Sequence, residues 1–116
     1  MATIPFVKAT FNGEGDVWTA TVATGDQTDV LKFVMAEENV NVVITGTIGG
    51  STVTVQQTLD GTNFGTAEAI DGTALALTVI GVVKRIWSVG IGLRVVVTAG
   101  AAAGLVVAVY VPRKVR

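Results

Sequence analysis

The sequence predicts an all-β protein: a single-domain antiparallel β-sandwich over residues 1–116, jelly-roll-like or immunoglobulin-like, with seven to eight strands. Three observations carry that expectation. Apolar residues alternate with Thr along short runs, most clearly in VNVVITGTIGGSTVTVQQTLDGTNF from Val40 to Phe64. There are 14 glycines against 2 prolines, which suits short strands and frequent turns. No stretch has the period of an amphipathic helix. Half the residues are hydrophobic and 15% are charged, a balance that buries a core rather than leaving a solvated coil.

From Met1 to Glu14, Pro5 and Gly13 interrupt any period while Phe6, Val7 and Phe11 supply apolar anchors. This segment is read as a first strand or as an N-terminal arm (1–14) that packs on a neighbour. No secretory signal is expected, because no basic start precedes an apolar run with a cleavage site. Asp16 to Val22 alternates as a strand, and Ala23 to Asp29 is a turn. Val30 to Met35 is the next strand. Glu37 and Glu38 would point to opposite faces, so they read as a solvated turn rather than an acid/base pair.

The stretch from Val40 to Phe64 reads as a hairpin around Gly49, Gly50 and Ser51, where positive φ is needed. Val40, Val42, Ile44 and Ile48 would share the buried face of its first strand, and Val53, Val55 and Leu59 that of the second. Asp60 and Gly61 give the next turn. Phe64 to Ile70 is a weak strand. Ala74 to Ile80 alternates with Leu75, Leu77 and Val79 on one face. Leu93, Val95 and Val97 alternate in the next run, and Leu105, Val107, Val109 and Val111 in the last, with a glycine-rich hairpin between them. Pro112 stops the last strand and opens a basic C-terminal tail (112–116).

Composition narrows the chemistry. The chain has no Cys and no His, so disulfides, thiolate zinc sites and Ser–His–Asp or Cys–His nucleophile systems are excluded. Asp26 and Asp29 near Gly25 lack the further oxygens and closing Glu of an EF-hand loop. Asp60 and Asp71 each precede a Gly, the ordinary turn position, and do not mark a glycosidase cleft. The run GTIGG lacks the Lys and helix of a phosphate loop. No cofactor and no metal are expected, and the chain is read as non-enzymatic.

Charge is uneven along the chain. Residues 1–82 carry two lysines against nine acids, a net of −7, and residues 83–116 carry six basic residues and no acid, a net of +6. Either identical copies meet acidic face to basic face, or the two halves interleave in one sheet pair and the charges average out. The candidate partner contacts are Lys84, Arg85 and Trp87, with Arg113, Lys114 and Arg116 in the tail. Trp87 beside Lys84 and Arg85 is the nearest thing to a nucleic-acid platform, but the seven aromatics read first as core, and no nucleic-acid partner is expected. Val95 to Val111 is an uncharged run of 17 residues, at the lower edge of a membrane-spanning helix. Its Gly/Ala centre and β-branched flanks read instead as two buried strands and a turn, so no membrane partner is expected.

The run from Val40 to Phe64, the return through IGLRVVVTAG and the ending LVVAVYV resemble small structural proteins of tailed bacteriophages. The matching residues are Gly46, Gly49, Gly50, Thr54, Asp60, Gly61, Thr62, Asn63, Phe64 and Arg94, over roughly residues 40–111. That family usually carries Trp where this chain has Phe64. The resemblance implies a virion protein on a β-sandwich: a capsid decoration or cement protein that binds the major capsid protein on the capsid surface, as a homo-oligomer (dimer or trimer). The alternative is a carbohydrate- or receptor-binding module of a tail or head fibre, using Trp18, Phe64 or Trp87 on sugar faces.

Overall fold

The computed structural model describes residues 3–11, 15–32, 40–86 and 91–112. Along them run β1 (Thr3–Ile4), β2 (Val7–Phe11), β3 (Gly15–Val22), β4 (Gln27–Thr28), β5 (Leu31–Lys32) and β6 (Asn41–Thr47). There follow β7 (Thr52–Thr58), β8 (Phe64–Thr66), β9 (Ala76–Leu77), β10 (Lys84–Arg85), β11 (Gly92–Thr98) and β12 (Ala103–Pro112). Sheet I has the order β10-β6-β12-β3-β2, with every neighbouring pair antiparallel. Sheet II has the order β1-β4-β11-β7-β8, with β5 also on β11 and β9 also on β7. Its one parallel pair is β1 with β4.

β4 and β5 pair with successive parts of β11, and β8 and β9 with successive parts of β7, so each couple is one interrupted strand. The sandwich proper then has eight strands, against the seven to eight expected from the sequence, with β1 and β2 added before them. The chain alternates between sheets in the manner of a jelly roll, with last strand β12 between β6 and β3 and next-to-last β11 between β4/β5 and β7. The immunoglobulin order, which keeps its first two strands together in one sheet of four, is not the one adopted.

The period-two reading succeeds for the core. Val42, Ile44, Val53, Val55, Leu93, Val95, Val97, Leu105, Val107 and Val109 are all fully buried, together with Ala20 and Val22 from β3. Full burial of one such side chain contributes about 1.5–3 kcal/mol. Two positions depart from it. Leu59 is 79% exposed and Val79 62% exposed. Each lies past the last residue of its strand that pairs with β11 or β7, where the chain has begun to turn and alternation no longer sets direction.

The two predicted hairpins are corrected. β6 and β7 lie in different sheets, as do β11 and β12, so each glycine corner is an arch across the core. Alternation cannot tell the two cases apart, since Val42 and Ile44 meet a core whether Val53 and Val55 lie beside them or opposite. The two corners lock together. Ser51 N donates to Ile48 O at 2.9 Å, and Ala101 N to Gly49 O at 2.9 Å. A Cβ on Gly49, which has φ +56°, would strike the Ala101 carbonyl. Ser51, fully buried, donates its hydroxyl to Ala99 O at 2.7 Å, and Ala102 N donates to the Thr24 hydroxyl at 2.8 Å. The β3–β4 turn is thereby tied to both arches.

Both sides of the sandwich are closed. On one side residues 3–11, the candidate arm, lie on the sheets: β1 joins sheet II and β2 joins sheet I. Phe6 N donates to Asp29 Oδ1 at 3.1 Å and Asp29 N to Ile4 O at 2.9 Å, fixing the crossing. On the other side a short finger leaves sheet II at Ala67 and returns at Leu75, with Leu75 N donating to Ala67 O at 2.9 Å. Its Ile70 N donates to Arg85 O at 2.9 Å, and Ile86 N donates to Val40 O at 2.8 Å, which links the two sheets.

Candidate interaction surface

Of the six predicted contact residues, Lys84 and Arg85 form β10 at the edge of sheet I. Trp87, Arg113, Lys114 and Arg116 lie outside the described residues. Arg85 stands opposite Asn41 and is exposed. Lys84 is half-buried at the rim of a groove that Ala69, Leu75, Leu77, Val79 and Val82 also line. Its charge reaches Asp71 at the tip of the finger. The Asp71 carboxyl is held below its ordinary range by the Thr73 hydroxyl and N–H, and to a lesser extent by Lys84.

Among the described residues the basic half of the chain does not gather on one side. β11 and β12, which come from it, are central strands flanked by strands of the acidic half. Arg94 projects outward from β11 in the middle of sheet II. So among the described residues the interleaved reading of the charge asymmetry holds.

Asp60, Gly61, Thr62, Asn63, Phe64 and Arg94, six of the motif residues picked out in the sequence, form one unit. Asp60 Oδ1 accepts the Thr62 and Asn63 N–H groups, each at 2.8 Å, and Oδ2 accepts the Asn63 amide at 2.8 Å. The buried Thr58 hydroxyl accepts Gly61 N–H at 2.8 Å. These bonds favour the carboxylate, the Asn63 and Thr62 N–H groups most, and hold Asp60 well below the usual carboxylate range. The turn so fixed delivers Phe64 to the outer face of sheet II. There the Arg94 guanidinium lies 3.8 Å from the Phe64 ring centroid, and its Nε donates to Gln56 Oε1 at 2.7 Å. Gln56 and Arg94 face each other across β7 and β11. Sequence reasoning placed Phe64 and Arg94 in one motif but not in contact, because no local period joins residues thirty positions apart.

Two of the three aromatic candidates for sugar stacking are engaged otherwise, and Trp87 lies outside the described residues. Trp18 packs against the core and Lys8 Nζ lies 5.8 Å from its ring centroid. Phe64 carries Arg94 on its ring. The two acids weighed as calcium ligands have structural partners: Asp26 accepts Ala23 N–H at 2.9 Å and Asp29 accepts Phe6 N–H. Among the described residues no helix is long and apolar enough to cross a membrane.

The surface feature that sequence reasoning missed is apolar. The segment from Thr78 to Val83 crosses from sheet II to sheet I as a strap over the edge of β6, with Gly81 N donating to Ile44 O at 2.8 Å. Val79, Ile80, Val82 and Val83 on it are all exposed. Val83 continues onto the outer face of sheet I, where it lines a shallow groove with Val17, Val43, Ala108 and Tyr110. The signal was present in VVI of β6 and LVVAVYV of β12, where apolar residues occupy both faces rather than one. Compared with known proteins, the chain matches no family model and no curated sequence.

Proposed function

We propose that this chain is a non-enzymatic virion structural protein of a tailed bacteriophage, a capsid decoration or cement protein. It would bind the major capsid protein on the outer lattice of the head and brace the shell. The observation that carries the reading is the Asp60–Phe64–Arg94–Gln56 unit. Six of the residues on which the resemblance to phage proteins rests, Asp60, Gly61, Thr62, Asn63, Phe64 and Arg94, work together at one place on the fold. The architecture is compatible with the role. Interlocked corners and closed sides make a stiff body, and repeated weak contacts on a lattice add up to firm attachment. The carbohydrate- or receptor-binding alternative has less support, since Lys8 and Arg94 already occupy the rings of Trp18 and Phe64.

The test is co-sedimentation of the purified chain with empty heads of the phage that encodes it, over a range of ionic strengths. Saturable binding at a fixed ratio to the major capsid protein is expected. Heads that carry down no protein at any ionic strength would contradict the proposal.

A further inference from the structure

We infer that the outer face of sheet I, walled on one side by the strap from Thr78 to Val83, is the contact surface between two copies of this chain. The inference stands on the face itself and does not depend on the virion reading.

The register places Val43 beside Ala108 and Asn41 beside Tyr110, and Ala108 and Tyr110 in turn beside Thr19 and Val17. All of these point away from the core, and Val106 joins them one row along, between Thr45 and Thr21. An antiparallel sheet with one wet face normally alternates apolar and polar residues; a strand apolar on both faces is one covered on both. β12 is such a strand, and so is the middle of β6.

Size and charge favour an identical copy as the cover. Strands of 2, 7, 10, 8 and 5 residues, about 4.8 Å apart and rising about 3.3 Å per residue, give a face of roughly 500 Å² in projection. With the strap added, this approaches the roughly 800 Å² per partner of a standard interface. The strap adds Val83, at 64% exposure, which lines the groove on this face. Among the described residues of the face the only charge is Arg85, at the β10 edge. A two-fold axis along β12 in the plane of contact sets each Arg85 over the β2 edge of the other copy. On its outward side that edge presents Val7, 63% exposed, while the Lys8–Asp16 ion pair lies on the opposite side beside Trp18, so the two arginines stay at opposite sides and meet no like charge. Aligned packing of two such sheets about 10 Å apart is an ordinary sandwich geometry.

The experiment is sedimentation velocity of the full chain from about 1 to 100 µM, a range over which interfaces of this size associate. The expected species is a dimer of the 11.9 kDa chain. Ala108→Glu, in the centre of the face, is expected to raise the dimer dissociation constant at least about 30-fold. Val83→Asp, on the exposed strap, is expected to weaken it with an unchanged circular-dichroism spectrum. Thr54→Glu, on the outer face of sheet II, is expected to leave the dimer intact. A wild-type chain that stays monomeric throughout would overturn the inference, whether it then floats with lipid vesicles or binds only phage heads. So would a dimer or trimer that survives both Ala108→Glu and Val83→Asp.

Discussion

On sheet II the side chains pointing away from the core are chiefly Thr52, Thr54, Gln56, Thr66 and Arg94, with Val96 among them; on sheet I Val17, Val43, Val106, Ala108 and Tyr110 form an apolar patch bordered by Thr19, Thr21, Asn41 and Thr45. Both sheets press equally dry inner faces together, with Val53, Val55 and Val95 on one side and Val42, Ile44 and Val107 on the other all fully buried. The difference therefore lies outside the fold's own needs. A polar outer face satisfies its groups with one another and with water, as Arg94 does with Gln56 and Phe64. An apolar outer face has no such partners and lowers its free energy only when something covers it. Inner faces hold the molecule together, and outer faces record what it meets.

Substitutions can break or sharpen that contrast. The largest effect is expected inside: Leu105→Ala, at a fully buried position of β12, should destabilise the fold by about 2–5 kcal/mol in chemical denaturation. The next is expected at the corners that hold both sheets. Ser51→Ala removes the hydroxyl that donates to Ala99 O and contacts the Thr24 hydroxyl, and should cost about 1–3 kcal/mol by the same measurement. On the polar face, Arg94→Ala should cost about 1 kcal/mol through lost stacking and one lost hydrogen bond, with no change in association state. On the apolar face the order reverses. Val106→Thr, one residue from Leu105 but pointing outward, should change folding stability by no more than about 0.5 kcal/mol. It should nevertheless weaken self-association about tenfold in sedimentation, as expected for an interface contact away from the central hot spot.

The smallest effect concerns acid. The Asp60 carboxyl is held below its ordinary range by the Asn63 and Thr62 N–H groups, so the charged form is favoured in the folded state. Its contribution is complete above the unfolded value of about 3.9 and is lost as pH falls through the lower folded value. Asp60→Asn keeps an oxygen for those N–H groups but cannot titrate. Below about pH 4 the melting temperature of this variant should fall less steeply than that of the wild type.

The strands and their buried faces were legible because alternation is a local signal. Leu93, Val95 and Val97 could be assigned to the core from four residues of context. Strand partnership was not. The turns at Gly49–Ser51 and Ala99–Gly104 fit a hairpin and an arch equally, and only the contact between the two corners, fifty residues apart in the chain, settles it. The contact surface was half legible. Asp60, Phe64 and Arg94 were singled out, but their stacking joins two strands that the sequence does not pair. The apolar outward residues Val43, Val106 and Ala108 stand in the runs VVI and LVVAVYV, but alternation marks only which residues share a face, not whether the second face is covered. Trp87 and the residues after Pro112, on which the basic contact was placed, lie outside the described residues.

Hydroxyl-radical footprinting across a dilution series tests the contrast between faces most directly. Tyr110 reports on the outer face of sheet I and Phe64 on that of sheet II. Tyr110 should be protected at high protein concentration and become reactive on dilution, while Phe64 reacts at one rate throughout. Equal behaviour of the two rings at every concentration would contradict the account.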